Sequence, residues 1–170
     1  MRIRKAYTAE YERLLDIWEE SVRATHNFLR EEHIQYYRSR IVGAYFPGVE
    51  LYVGEGDDGV AEAFMGVVPP MEQYVGKDFV SRPAHLSMLF VHPANHGKGI
   101  GRTLVQYAVD LYGDLAADVN EQNPGAFQFY QKCGFVQTGR SETDEEGNPF
   151  PILHLFRTAQ GTHVDSDSLG

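Results

Sequence analysis

Residues 90–104 read Phe90-Val91-His92-Pro93-Ala94-Asn95-His96-Gly97-Lys98-Gly99-Ile100-Gly101-Arg102-Thr103-Leu104. An apolar run from Leu86 to Val91 leads into this stretch and reads as a buried strand. Three glycines follow within five residues, and then Ile100, Leu104, Ala108 and Leu111 recur at helical spacing. The order is therefore strand, glycine-rich turn, helix. Glycines let a backbone approach a ligand closely and take positive φ. The free N–H groups of the turn and the N-terminal dipole of the helix converge on one place, which suits a phosphate.

Two common phosphate loops do not fit. A P-loop requires Gly-x-x-x-x-Gly-Lys-Ser/Thr, and no such string occurs. A dinucleotide fingerprint requires Gly-x-Gly-x-x-Gly at the start of a βαβ unit, whereas the spacing here is Gly-x-Gly-x-Gly after a mid-chain strand. Taken alone, the turn is also compatible with no ligand at all.

A second stretch narrows the choice. Asn123-Pro124-Gly125-Ala126-Phe127-Gln128-Phe129-Tyr130-Gln131-Lys132-Cys133-Gly134-Phe135 follows the glycine turn by about one helix and one strand. Together the two stretches resemble the GNAT N-acetyltransferases. His96-x-x-Gly99-x-Gly101 is similar to their pyrophosphate loop Arg/Gln-x-x-Gly-x-Gly/Ala, with His in the first place. The second stretch matches Asn-x-x-Ala-x-x-Phe-Tyr-x-Lys-x-Gly-Phe at every defined position. The close resemblance covers Leu86 to Phe135.

Outside that core the chain reads as follows. Residues 2–6 are a first strand and Thr8 a helix N-cap. Tyr11, Leu14, Leu15, Trp18 and Val22 mark a helix, and Ile34, Tyr37, Ile41 and Tyr45 a second one ending at Pro47-Gly48. Residues 51–55 and 60–68 form a hairpin about Gly56-Asp57-Asp58-Gly59. Residues 69–83 read as a loop rather than a lid. Strands follow at 84–91, 115–119, 135–141 and 150–157, the last two joined by the acidic turn 142–149. The order predicts an α/β fold, a mixed α+β sheet with helices on both faces, in one domain over 1–158. Residues 159–170 read as a disordered tail. The resemblance adds that the two central parallel strands splay and admit the cofactor.

Composition sets further bounds. The chain has 170 residues, a net charge of −9 and no basic run, which argues against nucleic acid and against an anionic membrane surface. One cysteine excludes an internal disulfide. No apolar run reaches eighteen residues and the N-terminus has no signal core, so the cytoplasm is expected. A monomer or homodimer is expected, and no metal is implied.

The resemblance implies acetyl transfer from acetyl-CoA directly to a primary amine of a small molecule or peptide. The other reading kept open is a non-catalytic acyl-CoA-binding module. By resemblance, acetyl-CoA is held by Leu89, Phe90 and Val91, by His96, Gly97, Lys98, Gly99, Ile100, Gly101 and Arg102, and by Asn123, Ala126, Tyr130 and Lys132. Asn123, Ala126 and Tyr130 share one helix face, since they are three and four residues apart. Tyr130 stands where the family places a general acid for the leaving thiolate. His85 stands where some members carry a base on the central strand, and an imidazole with a reference pKa near 6.5 suits that task. Strand alternation would put residues 85, 87, 89 and 91 on one face. His26 and Glu121 are the other candidate bases. Thr25, His26, Phe28 and Glu121 are candidates to line the acceptor site. The carboxylates of Glu142, Asp144, Glu145 and Glu146 read as a solvated turn, with attraction of a cationic acceptor as the alternative.

Overall fold

The computed structural model describes residues 1–160. The expected tail lies, from residue 161 on, outside the described residues. A seven-stranded mixed sheet runs in the order β1-β2-β3-β6-β7-β9-β8. Its strands are β1 (Arg2–Lys5), β2 (Glu50–Glu55), β3 (Ala61–Val68), β6 (Ala84–Val91), β7 (Leu115–Asn120), β8 (Val136–Ser141) and β9 (Ile152–Arg157). A separate ribbon is made of β4 (Met71–Val75) and β5 (Asp78–Arg82). The helices are α1 (Tyr11–Thr25), α2 (Glu31–Arg40), α3 (Ile100–Tyr112) and α4 (Pro124–Lys132).

Apolar faces bury on both sides of the sheet. Under α1 and α2 lie Leu14, Ile17, Trp18, Val53 and Phe64. Under α3 and α4 lie Leu86, Leu104, Val105, Leu115 and Leu155. Burial of a large aliphatic or aromatic side chain is worth roughly 1.5–3 kcal/mol, so these two layers carry most of the stability. Gly101 lets α3 and α4 approach closely: a Cβ there would lie 3.1 Å from Phe129 Cζ.

Four expectations need correction. Residues 69–83 are not a loop. Met71–Val75 runs extended, the two-residue turn Gly76-Lys77 reverses the chain with Gly76 at φ +65°, and Val75 pairs with Asp78. The ribbon stands clear of the core, with Tyr74 74% and Phe79 55% exposed and their rings 5.2 Å apart. Thr8 does not cap α1; it opens a short 3₁₀ turn, Thr8–Glu10, where the Glu10 carboxylate accepts from Tyr7 N at 2.6 Å. The second helix keeps α geometry only to Arg40. A wider π turn, Ile41–Tyr45, and a 3₁₀ turn, Phe46–Gly48, complete it before Glu50.

The fourth correction concerns β6. Gly66 pairs with Met88 but Val67 pairs with Leu86, so Ser87 is an extra residue in the strand. A one-residue insertion exchanges the faces of everything beyond it. Leu86, Leu89 and Val91 therefore pack toward α3 and α4, while Met88 and Phe90 pack toward α1 and α2. Residues 85, 87, 89 and 91 do not share a face.

Candidate active site

The two central strands part as they run. β6 and β7 are parallel and pair only at Ala84–Leu115, His85–Ala116 and Leu86–Ala117. Beyond the Ser87 bulge β6 continues to Val91 on β3 alone, and its β7-facing backbone groups from there on have no partner in β7. Such an unpaired edge is a ready template for an extended ligand arm.

The glycine turn sits at the end of β6. Gly97 and Gly99 hold φ of +79° and +80°, and a Cβ at either would meet nothing within 4 Å. Gly99 is the N-cap of α3, so Ile100, Gly101 and Arg102 present N–H groups with no intrahelical acceptor. His96 closes the turn: its Nε2 lies 2.7 Å from the Val91 carbonyl, to which it donates. Lys98 Nζ donates to Asn95 Oδ1 at 2.9 Å. His92 anchors the turn to α1, accepting from Ala94 N at Nδ1 and pairing Nε2 with Glu20. Arg102 and Lys132 line a small pocket of about 230 Å³ with Gln106, Gly134 and Arg157, and no carboxylate is among its walls.

α4 faces the parting strands. Asn123 is buried and caps the helix, its Oδ1 accepting from Ala126 N at 3.2 Å, with Pro124 at the first helical position. Ala126 packs against the same core cluster as Tyr130. Tyr130 is 8% exposed, wedged between Phe129 and Phe135 with ring centroids 5.3 and 5.2 Å away. Burial pushes its phenol well above the usual range, so the hydroxyl stays protonated. Cys133 is buried too, and burial raises its thiol, as befits an apolar filler.

On the α1–α2 side of the sheet lies a cleft of about 710 Å³. Trp18, Val22, Leu29, Ile41, Phe90 and Phe150 give it apolar walls, and His85, Ser87, Asp118 and His154 lie along the sheet. His85 Nε2 is 3.1 Å from Asp118 Oδ2, and its Nδ1 is 2.8 Å from Ser87 Oγ. The acidic turn is not a free solvated loop. Tyr37 donates to Asp144 at 2.7 Å, Tyr45 and Tyr36 donate to Glu146 at 2.9 and 3.1 Å, and Arg40 pairs with Glu146 at 3.2 Å. These bonds strap the turn over one end of the cleft, where Asp144, Glu145 and Glu146 join its walls.

The remaining candidates separate by position. His26 lines the cleft, its Nδ1 2.8 Å from Thr25 Oγ, and burial pushes its imidazole down to about 4. Thr25 also donates to Ser21 O, and Phe28 stacks between His26 and Phe150 at 5.5 and 5.4 Å; neither is a wall of the cleft. Glu121 lies outside it, paired with Arg140, which holds its carboxyl below the usual range. Three residues that the sequence reading did not single out complete the cleft floor: Ser87, Asp118 and His154. Asp118 and His154 occupy alternating positions in β7 and β9, a weak signal, and nothing in the sequence pairs them.

Residues 62–151 match the profile of the acetyltransferase (GNAT) domain, a span that contains both strands, the glycine turn and α4. The chain belongs to the GNAT acetyltransferase family. Two relatives extend the likeness to almost the whole length. The peptidyl-lysine N-acetyltransferase YjaB of Escherichia coli is 38% identical over 156 residues, 90% of this chain and 94% of that protein. Its Salmonella typhimurium counterpart is 36% identical over 159 residues, 92% of this chain and 97% of that protein. The solution structure of apo YjaB from Escherichia coli matches with a TM-score of 0.74, covering 91% of this chain and 95% of that one at 36% identity. This GNAT protein is thus an acyltransferase that moves an acetyl group to an amine, and acetyl-CoA is the family's co-substrate. The non-catalytic alternative is not favoured, since the relatives are named as enzymes. No helix among the described residues is long and apolar enough to cross a membrane.

Proposed function

We propose that this enzyme acetylates the ε-amine of lysine side chains in proteins or peptides, with His85 as the base and Tyr130 as the acid. The observation that carries the substrate class is the likeness to peptidyl-lysine N-acetyltransferases along nearly the full chain. The cleft supports it: apolar walls suit the four-carbon stem of lysine, and the carboxylates of Asp118, Asp144, Glu145 and Glu146 suit its ammonium.

Acetyl-CoA brings the acetyl group as a thioester. The N–H groups of Gly97 to Arg102 and the α3 dipole suit its pyrophosphate, with Arg102 and Lys132 as counter-charges nearby. The edge of β6 at Leu89, Phe90 and Val91 suits the extended arm, and a free N–H there would polarise the carbonyl. Asn123 and Ala126 leave the arm room along α4.

The chemistry then needs two proton movements. The lysine ammonium must lose a proton before its nitrogen can attack. His85 takes it at Nδ1, by way of the Ser87 hydroxyl that lies 2.8 Å away, and Asp118 stabilises the imidazolium through Nε2–H. As the N–C bond forms and the C–S bond breaks, Tyr130 gives its hydroxyl proton to the departing sulfur. The second proton lost by the nitrogen restores the tyrosine, so the amide keeps one hydrogen. Of the other candidate bases, His26 is too acidic when protonated to hold a proton near pH 7, and Glu121 is neutralised by Arg140.

The test uses acetyl-CoA with an N-terminally blocked lysine peptide and, separately, a free polyamine, followed by mass spectrometry. Nε-acetyllysine is the expected product, and His85→Gln should lower kcat/KM for the peptide by about 10²-fold, the low end for a general base. Acetylation of the polyamine with none of the peptide would overturn the substrate class. An unchanged rate in the variant would remove His85 from the mechanism.

A further inference from the structure

Asp118 is shared between two imidazoles. Its Oδ2 lies 3.1 Å from His85 Nε2 and its Oδ1 lies 2.6 Å from His154 Nδ1. A hydroxyl meets each far nitrogen: Ser87 Oγ is 2.8 Å from His85 Nδ1, and Ser141 Oγ is 2.6 Å from His154 Nε2. The chain Ser87–His85–Asp118–His154–Ser141 therefore crosses four neighbouring strands, β6, β7, β9 and β8. Asp118 and His154 are directly opposite in the ladder.

The hydrogen-bond chemistry dictates both tautomers. An ionised carboxylate only accepts, so His85 Nε2 and His154 Nδ1 must both carry hydrogen. The two imidazoles hold the Asp118 carboxyl below its usual range despite its partial burial, which keeps it ionised near neutrality. In neutral rings the lone pairs then fall on His85 Nδ1 and His154 Nε2, where the two serine hydroxyls donate. A carboxylate gripped at one oxygen can rotate about its Cβ–Cγ bond; one gripped at both cannot without breaking a bond.

We infer that His154 is a positioning residue for acetyl transfer, acting through Asp118 to hold His85 in the tautomer and orientation that accept the amine's proton. The inference rests on the reading of His85 as the base. His154 has two effects. It fixes the Asp118 carboxylate, and its N–H draws off part of the negative charge that would otherwise stabilise a His85 imidazolium. Removing it should misplace His85 and make it easier to protonate. The other titratable groups facing the cleft are His26 after α1, Tyr37 of α2, Tyr45, and Asp144, Glu145 and Glu146 on the β8–β9 turn. On the other face burial raises the phenol of Tyr130 of α4, and the Asp118 charge that it feels adds to that rise. A change at His154 leaves all of these in place.

Three full-length variants test this. His154→Asn retains an amide N–H near the Nδ1 position, His154→Gln puts its amide near Nε2 instead, and His154→Phe removes the donor. The acid limb of kcat/KM for the lysine peptide is followed in each, together with the ring-nitrogen NMR signals of His85. His154→Phe should lower the plateau by about 10–10²-fold, as misplacement of a reacting group does. Its acid limb should move to higher pH, and the His85 nitrogens should change from one tautomer to a mixture. His154→Asn should restore all three toward the parent, and His154→Gln should not. The inference fails if His154→Phe or, should that variant not fold, His154→Gln keeps the parent's acid limb and His85 tautomer. Loss of His85 as the base is a separate result: the His85→Gln rate would be unchanged, while His154→Phe in a protein that keeps His85 would still alter the His85 tautomer.

Discussion

Tyr130→Phe is expected to reduce kcat for acetyl transfer by about 10²–10⁴-fold, the range for a lost general acid, with little change in acetyl-CoA affinity. The ring packs between Phe129 and Phe135 through its faces and edges, and phenylalanine preserves those contacts. The hydroxyl has no hydrogen-bond partner among the described residues, so its removal strands no other group and folding should be unaffected. A structural tyrosine in this position would give the opposite pattern, with an altered melting temperature and an intact rate. Single-turnover kinetics with a good lysine peptide isolate the chemical step. Equal single-turnover rates in the two proteins would exclude Tyr130 as the acid.

Gly99→Val is expected to weaken acetyl-CoA binding by on the order of 100-fold or more, about 2.7 kcal/mol. Gly99 adopts φ +80° as the N-cap of α3. A side chain there faces open space on the protein side, so it fits sterically but stands before the helix N-terminus where phosphate oxygens would approach. The left-handed backbone also costs an L-residue roughly 1–2 kcal/mol, which lowers stability as well. Gly59→Val separates the two effects. Gly59 has φ +79° and equally open surroundings but lies in the β2–β3 turn, away from the site. Calorimetric titration should find similar destabilisation in both variants and lost affinity only in Gly99→Val. Parent-like affinity in a folded Gly99→Val protein would place the phosphate elsewhere.

Most of the frame was legible because it depends on local signals. The glycine turn, the Asn123–Phe135 string and the apolar period of α1 each specify their own element within about a dozen residues. What escaped depends on contacts between distant segments or on single-residue detail. The Ser87 bulge leaves no mark in an apolar run that is hydrophobic on both faces, yet it sends Met88 and Phe90 to the acceptor side and opens the gap between β6 and β7. The Asp118–His154 pair is set by strand register across 36 residues of chain, and a mixed sheet gives no sequence rule for it. The acidic turn looked solvated because its tyrosine donors lie 101–110 residues earlier. The β4–β5 ribbon offers one readable cue, the two-residue Gly76-Lys77 turn, because Met71–Val75 lacks apolar alternation and prolines flank the segment.

Amide mapping of acetyl-CoA binding tests the central claim most directly, because it asks where the co-substrate sits before any reaction occurs. Titration of the ¹⁵N-labelled protein with acetyl-CoA should perturb Leu89 to Val91, Gly97 to Arg102, and Asn123 to Tyr130 most strongly, leaving the β4–β5 ribbon and the β2–β3 turn unmoved. Saturable binding that leaves the glycine turn and the free edge of β6 silent, with its largest shifts elsewhere, would contradict the account.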